Sequence, residues 1–348
     1  MATLGCPDTY TAAFYTNDGA TPIGQAVELS SVRWGRVLDD TSTAQLTVPI
    51  VSEECCEVLS SAHAWCNDVG IFRDSTLVWQ GPVYLLSHGT ANTVVDARDV
   101  TAWLFVAEIL NKIDFTATGM GAADLSLIAE AIIRDALSEF DPNILPFLQV
   151  GLSGVTGERL YDALENYAGE ELKELARTGI DFTALGHRII IGGETAFARL
   201  AQLRDEDFLG ELRVLEDGGG TITKAIVDGE GVTATAGGVG VCGKITRIAK
   251  EEQIRDLNSA QAEADALVAA GTPTPLLLEV PDGVQLSPEA PLDIMDLVPG
   301  VVIPVASTAT CRSVNTDLRL LKLEVEYTAT AGEVVKVSLA PAGVEITT

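Results

Sequence analysis

Residues 238–245, Gly238-Val239-Gly240-Val241-Cys242-Gly243-Lys244-Ile245, come nearest to a known chemistry. They fit G-x-G-x-x-G and nearly fit G-x-x-x-x-G-K-[ST], the loop whose backbone amides cradle phosphates. In that loop the last hydroxyl ligates Mg²⁺, and Ile245 stands in its place. The flanks read as strands on both sides, whereas a phosphate loop joins a strand to a helix. Vicinal Cys55-Cys56 with His63 and Cys66 could surround zinc, but their spacing fits no common zinc module. The other histidines, His88 and His187, lie far away in sequence. Acidic pairs at Asp39-Asp40, Glu53-Glu54, Glu170-Glu171 and Glu251-Glu252 have the composition of general acid/base pairs. Among fifty acidic residues such neighbours arise by chance. Asp39-Asp40-Thr41-Ser42 reads better as a turn, where Asp and Ser side chains bond nearby amides. No G-x-S-x-G elbow is present. The sequence therefore assigns no catalytic, cofactor-binding or metal-ligating residue, and no cofactor is expected. Trp34, Trp65, Trp79 and Trp103 cluster in the first third of the chain. Exposed together they would make a sugar-binding platform; in or beside strands, as three of the four are, they serve the core or a subunit interface.

The elements that would position these residues are mostly strands. Ala44, Leu46, Val48 and Ile50 alternate with polar neighbours, the two-residue period of a half-buried strand. Strands are expected at Tyr10–Tyr15, Val27–Trp34, Thr43–Ile50, Val69–Phe72, Leu77–Leu86 and Thr93–Asp99, with a hairpin turn at Asp74-Ser75-Thr76. From Leu125 to Phe140 the apolar residues recur at helical spacing, with Asp124 as cap and Asp141-Pro142 as stop. A second helix is expected after Thr156, striped by Leu160, Leu164, Tyr167, Leu172 and Leu175 and closed by Gly179. Strands resume at Arg188–Ile191, Leu212–Glu216, Ile222–Val227, Val232–Ala236 and Val241–Ile248. A helix carrying Ile254, Leu257, Ala260, Ala264, Leu267 and Val268 ends at Gly271, before Pro273 and Pro275. Val301–Ala306 and a terminal hairpin, Leu318–Tyr327 with Val334–Leu339 around Ala331-Gly332, complete the series.

The 348 residues carry a formal charge of −28, divided −9, −7 and −12 over residues 1–120, 121–180 and 181–348. Acidity on this scale argues against binding the outside of nucleic acid and serves solubility. No segment reaches the ~20 apolar residues of a membrane span, so no stable membrane insertion is expected. Met1–Leu4 has no basic or apolar leader signature, so no signal peptide is expected. The six cysteines lack the regular spacing of a disulfide scaffold and are expected as reduced thiols. The fold class is mainly β with α insertions (α+β). It comprises two antiparallel β-barrels or sandwiches, at 1–120 (closed by about 181–210) and 211–348 with helix 251–270 inserted. A small helical insertion domain occupies 121–180.

Several segments carry a resemblance. They are RWGRVLDDTSTAQLTVP (33–49), CC (55–56), IFRDSTLVWQGPV (71–83), DARDVTAWL (96–104), LKELARTGIDFTALGHRIII (172–191), RDEDFLGELRVLEDG (204–218), LVPGVVIPV (297–305) and CRSVNTDLRLLKLEVEY (311–327). Together they resemble minor tail proteins of the tail-hub type from long-tailed (siphovirus-type) actinobacteriophages, which are similar to the baseplate hub of contractile phages. Ser75-Thr76 departs from the glycine such proteins often carry in that turn. The resemblance implies two tube-like barrels per chain and a homotrimer at the tail tip. The trimer would stack under the distal tail protein ring and adapt six-fold to three-fold symmetry around the DNA channel. Implied partners are the tape-measure protein and other tail-tip or central-fibre proteins, with DNA only in transit. The implied protein is a non-enzymatic virion component, made in the host cytoplasm and serving DNA ejection and host attachment. With the last strand close to Thr348, no appended hydrolase domain is expected. The alternative is a tail adhesin binding a receptor or cell-wall carbohydrate through the tryptophan-rich first unit.

Overall fold

A computed structural model describes residues 4, 7, 9–17, 19–140, 145–216, 218–241, 243–251, 257–272, 274 and 276–342. Cys6, Cys242, the helix stop at Asp141-Pro142, and Ile254, Pro273 and Pro275 lie outside them. The chain is mostly strand. The longer elements, in chain order, begin with β1 (Tyr10–Thr16), β2 (Val27–Glu28), β3 (Ser31–Val37), β4 (Thr43–Pro49), β5 (Asn67–Arg73), β6 (Thr76–His88) and β7 (Asn92–Arg98). Next come β8 (Phe147–Val150), β9 (Asp181–Leu185), β10 (Arg188–Gly192), β11 (Lys224–Gly229), β12 (Thr233–Gly237) and β13 (Thr246–Glu251). The last are β14 (Val302–Ser307), β15 (Val314–Thr328) and β16 (Gly332–Pro341). The helices are α1 (Glu53–Ser61), α2 (Leu125–Ala136), α3 (Ala168–Ala176) and α4 (Leu257–Gly271).

The fold class is the one the sequence implies, mainly β with α insertions, but among the described residues no barrel closes. One long sheet instead runs β14-β15-β3-β4-β7-β6-β5-β1-β2, with β16 paired to β15. β15 is the pivot. It pairs antiparallel with β3 (Val325 opposite Trp34) and with β16 (Val325 opposite Val335). The terminal strands therefore belong to the sheet of the first hundred residues and do not form a second barrel. Alternation identifies a strand and one buried face but carries no information on its partner. The compact units are accordingly Met1–Glu211 with Val280–Ala306 and Asn315–Thr348 (unit 1), and Leu212–Glu279 with Ser307–Val314 (unit 2).

Within unit 1, β6 serves two partners. Its first half pairs with β5 and its second half with β7. The change falls at Gly81-Pro82, where a Cβ on Gly81 would sit 2.0 Å from the Arg98 carbonyl oxygen. Only glycine allows that approach. Trp34, Leu46, Val48, Ile71, Val83, Leu323 and Val325 fill the core beneath the sheet. Arg36, in β3, is fully buried and donates to the carbonyls of Val78 (2.7 Å), Leu297 (3.1 Å) and Ile294 (3.2 Å). Burial pushes its pKa down to about 10.

The helical insertion is wider than 121–180, because one core extends from Val100 to Ile191. Ile128, Ile132 and Ile133 of α2 and Leu172 and Leu175 of α3 share it with Phe182, Ile189 and Ile191. Asp124 caps α2, accepting from the Ser126 amide at 2.9 Å, and also takes the Gly154 amide at 2.9 Å. Burial raises its pKa, but the Ser153, Ser126 and Gly154 amides outweigh that and hold it below the usual carboxylate range. The second helix is shorter than expected. Leu160 lies in a two-residue strand, Leu164 is left-handed (φ 62°), and Tyr167 is the residue before α3. Leu160 and Leu164 are exposed, so their spacing marks no buried stripe. Helix α1 was not expected; Ser52 caps it through the Cys55 amide.

Unit 2 is a three-stranded sheet, β12-β11-β13, with α4 on one face, and a ribbon of Arg213–Glu216 with Leu276–Glu279. Its core is Ala225, Val227, Ala234, Ala236, Ala260 and Ala264. Among the described residues no helix is long and apolar enough to cross a membrane.

Candidate functional site

The glycine-rich stretch opens no helix. Gly240 and Gly243 exchange backbone hydrogen bonds (2.9 and 3.1 Å) to form a hairpin tip, and β13 follows from Thr246. A phosphate cradle needs a helix N-terminus after the glycines, and a strand stands there instead. Cys55 is buried with its thiol raised by burial, whereas Cys56 and Cys66 are exposed. The His63 amide bonds Asn67. Among the described residues no three His, Cys, Asp or Glu side chains converge as a metal site requires.

The four tryptophans divide. Trp34 is fully buried, and Trp79 is 4% exposed with its indole N–H on the Gly35 carbonyl at 3.0 Å. Trp65 and Trp103 are half-buried and stack at 4.6 Å. Tyr84 meets Trp65 edge-on at 5.7 Å, and Phe140 meets Trp103 at 5.5 Å. This makes a partly exposed aromatic stripe, extended by the Arg98 guanidinium 4.1 Å over Tyr84. Beside it runs a groove of about 490 Å³, lined by Arg33, Gln45, Asp96, Arg98 and Glu324. Gln45 donates to Asp96 at 2.8 Å, and Arg33 pairs with Glu324.

The paired aspartates at 39–40 do more than close a turn. Asp39 is left-handed (φ 61°), a conformation Asp tolerates. Its amide donates to the Phe182 carbonyl at 2.8 Å, and its carboxylate accepts the Phe182 amide at 2.9 Å. Thr183 donates to the Val37 carbonyl at 2.9 Å, and Lys173 reaches Asp40 at 2.7 Å. The β3–β4 turn thereby clamps β9 and α3 of the helical lobe. Asp181, on β9, pairs with Arg319 on β15. Burial, then the Asp181 charge, push the Asp39 carboxyl up to about 7 against the Phe182 amide and Arg319. Asp181 is also raised, by burial first, with Arg319 opposing. A carboxyl titrating near neutrality has the property of a general acid. This one bonds to the backbone of the neighbouring strand, so its role here is to hold the lobe.

His187 points Nε2 at the buried Asp68 carboxylate. Asp-His pairs orient imidazoles in hydrolases, but among the described residues no hydroxyl or thiol hydrogen-bonds His187. Neither this pair nor the Asp39 clamp was visible in the sequence, because their members lie more than a hundred residues apart.

No family model matches the sequence. Its fold, however, is shared by solved structures. A tail protein from Neisseria meningitidis matches with a TM-score of 0.56 at 10% identity, over 97% of this chain and 98% of that one. The 43 kDa tail protein of prophage MuSo2 from Shewanella oneidensis matches with a TM-score of 0.53 at 12% identity, over 95% and 98%. An E. coli type VI secretion component, described as structurally similar to T4 bacteriophage tail proteins gp27 and gp5, matches with a TM-score of 0.51 at 12% identity, over 92% and 75%. The long sheet, the helical lobe and the small unit together make up a fold found in phage tail proteins.

Proposed function

We propose that this chain is a structural, non-enzymatic phage tail protein of the hub type. Three copies form a ring at the tail tip of a siphovirus-type actinobacteriophage, below the distal tail ring. The ring adapts six-fold to three-fold symmetry and surrounds the channel used by DNA and the tape-measure protein. The observation that carries this reading is the fold match to tail proteins over nearly the whole of both chains. The −28 charge suits a channel along which DNA must slide without sticking. Gold-labelled antibody against the chain is expected to mark one end of the tail in purified virions. Label on the capsid or along the tail shaft contradicts the reading.

A second reading, an adhesin for cell-wall carbohydrate, draws support from the aromatic stripe and its polar groove, since sugars stack on half-exposed aromatic rings beside hydrogen-bonding side chains. Retention of the purified chain on host cell-wall glycan, lost in Tyr84→Ala/Trp103→Ala, supports it. Free passage of the wild type over the glycan contradicts it.

A further inference from the structure

Strand β2 is the last of the long sheet, beside β1. Val27 lies opposite Ala12 and Glu28 opposite Thr11, and the Leu29 amide donates to the Tyr10 carbonyl at 3.1 Å. Backbone groups in an antiparallel ladder alternate in direction, so the Glu28 amide and carbonyl point away from β1. Just before β2, the backbones of Gly24, Gln25 and Ala26 make no hydrogen bond among the described residues. An open edge of this kind is a template for a further strand.

Helix α1 faces that edge across a groove of about 580 Å³. At Gly24 the two walls touch, for a Cβ there would lie 2.4 Å from Val58 Cγ2. Past β2, the Ser30 amide donates to the Thr47 carbonyl at 3.0 Å and ties the edge to β4. Between these attachments the walls part. Val27 and Cys55, each 8% exposed, give the groove an apolar floor, and Val51 stands beside it at 81% exposure. Edges that only need protection are blunted by charge or covered. This one keeps an apolar groove and an exposed valine.

The charge of the groove selects its occupant. Glu28, Glu54 and Glu57 line it, all exposed, and no lysine or arginine does. Among the described residues none of these three carboxylates forms an ion pair. Nucleic acids and anionic lipids are repelled by such a rim. A second copy of this chain, at −28, is a poorer occupant than a basic segment.

We propose that this groove receives an extended segment of another protein, added as a strand along β2, with apolar side chains alternating with lysine or arginine. Main-chain bonds to the free edge supply affinity, and the side chains supply selectivity. The apolar residues meet Val27, Cys55 and Val58, and the cations meet Glu28, Glu54 and Glu57. The inference does not depend on the number of copies in the assembly.

The test uses the full chain and a fluorescent synthetic hexapeptide that alternates lysine with valine, with anisotropy as the readout. The peptide is expected to bind the wild type and to lose at least about tenfold in affinity for Glu28→Lys/Glu57→Lys. Glu139→Lys/Glu158→Lys, the same change of charge at two exposed positions of the helical lobe, is expected to bind as the wild type does. Circular dichroism confirms that each variant is folded. Methylating alternate amide nitrogens of the peptide is expected to cost at least about tenfold, because strand pairing needs those donors. Hydrogen exchange over residues 24–28 is expected to slow at least about tenfold when the peptide is bound. No binding to the wild type, equal loss in the two charge variants, or indifference to methylation overturns the proposal. A smaller solution mass for Glu28→Lys/Glu57→Lys than for the wild type, without peptide, overturns it in favour of a second copy. A monomeric wild type that binds the peptide as expected contradicts the ring reading and leaves this one standing.

Discussion

Replacing Glu333 with alanine is expected to lower the unfolding free energy of unit 1 by about 3–5 kcal/mol, the cost of stranding one member of a buried ion pair. The Glu333 side chain is fully buried, and that of Arg73 is 3% exposed. Arg73 donates through Nε at 2.9 Å and Nη2 at 3.1 Å, and the Tyr10 hydroxyl adds a third bond at 2.6 Å. Burial and the adjacent carboxylate push the Tyr10 hydroxyl well above the usual tyrosine range. The three residues come from β16, β5 and β1, so the network fastens the terminal hairpin to the far part of the sheet. Removing the carboxylate takes from the buried Arg73 guanidinium the two hydrogen bonds that Glu333 accepts. Replacing all three members with apolar residues (Tyr10→Phe/Arg73→Met/Glu333→Leu) is expected to recover most of the loss, since no charge is then stranded. Urea unfolding followed by tryptophan fluorescence reads this directly, because all four tryptophans lie in unit 1. A loss below about 1 kcal/mol for the alanine variant would show that the pair is not what holds the hairpin.

Asp39→Asn is expected to stabilise the protein most above pH 7, by less at pH 5, and to change little below the unfolded value of 3.8. The folded carboxyl holds its proton up to about 7, whereas an unfolded one releases it near 3.8. Between those values the folded state binds more protons, so stability falls as pH rises. The contribution is fully present below the unfolded value and is lost as pH passes the folded one. A gap of about three pKa units corresponds to roughly 4 kcal/mol at most. Asparagine removes the titration, tolerates the left-handed backbone, and retains an oxygen for the Phe182 amide. At pH 8 the variant should melt several degrees higher than the wild type. Asp181 and Asp99, whose pKa values are also raised by burial, leave a shallower slope of the same sign. Equal melting temperatures of variant and wild type at pH 8 would show that Asp39 is not strained when ionised.

Much of the local structure was legible in the sequence. The terminal hairpin, expected over 318–327 and 334–339, is observed with Thr328 opposite Gly332. Helix α2 begins where Asp124 caps it. These features depend on residues within one turn of each other, where capping and periodicity act. Pairing of β15 with β3 depends on residues nearly 300 positions apart, and alternation cannot choose between partners. That is why the terminal strands were expected in a second barrel, whereas they pair with β3 in the long sheet. The same distance hid Phe182 and Arg319 from Asp39, so a structural clamp read as a turn. Leu160 and Leu164 mimicked a helical stripe because spacing records position and not burial. The Ser52-Glu53-Glu54 capping signal for α1 is present, but the helix buries Cys55 and Leu59, too few residues to show an apolar stripe.

The central claim, a tail hub of three copies, is tested most directly by the absolute mass of the purified chain in solution, measured by light scattering at micromolar concentration. Three copies of a 36.6 kDa chain give about 110 kDa, and a single species of that mass is expected. A monodisperse 36.6 kDa species across the concentration range would contradict it.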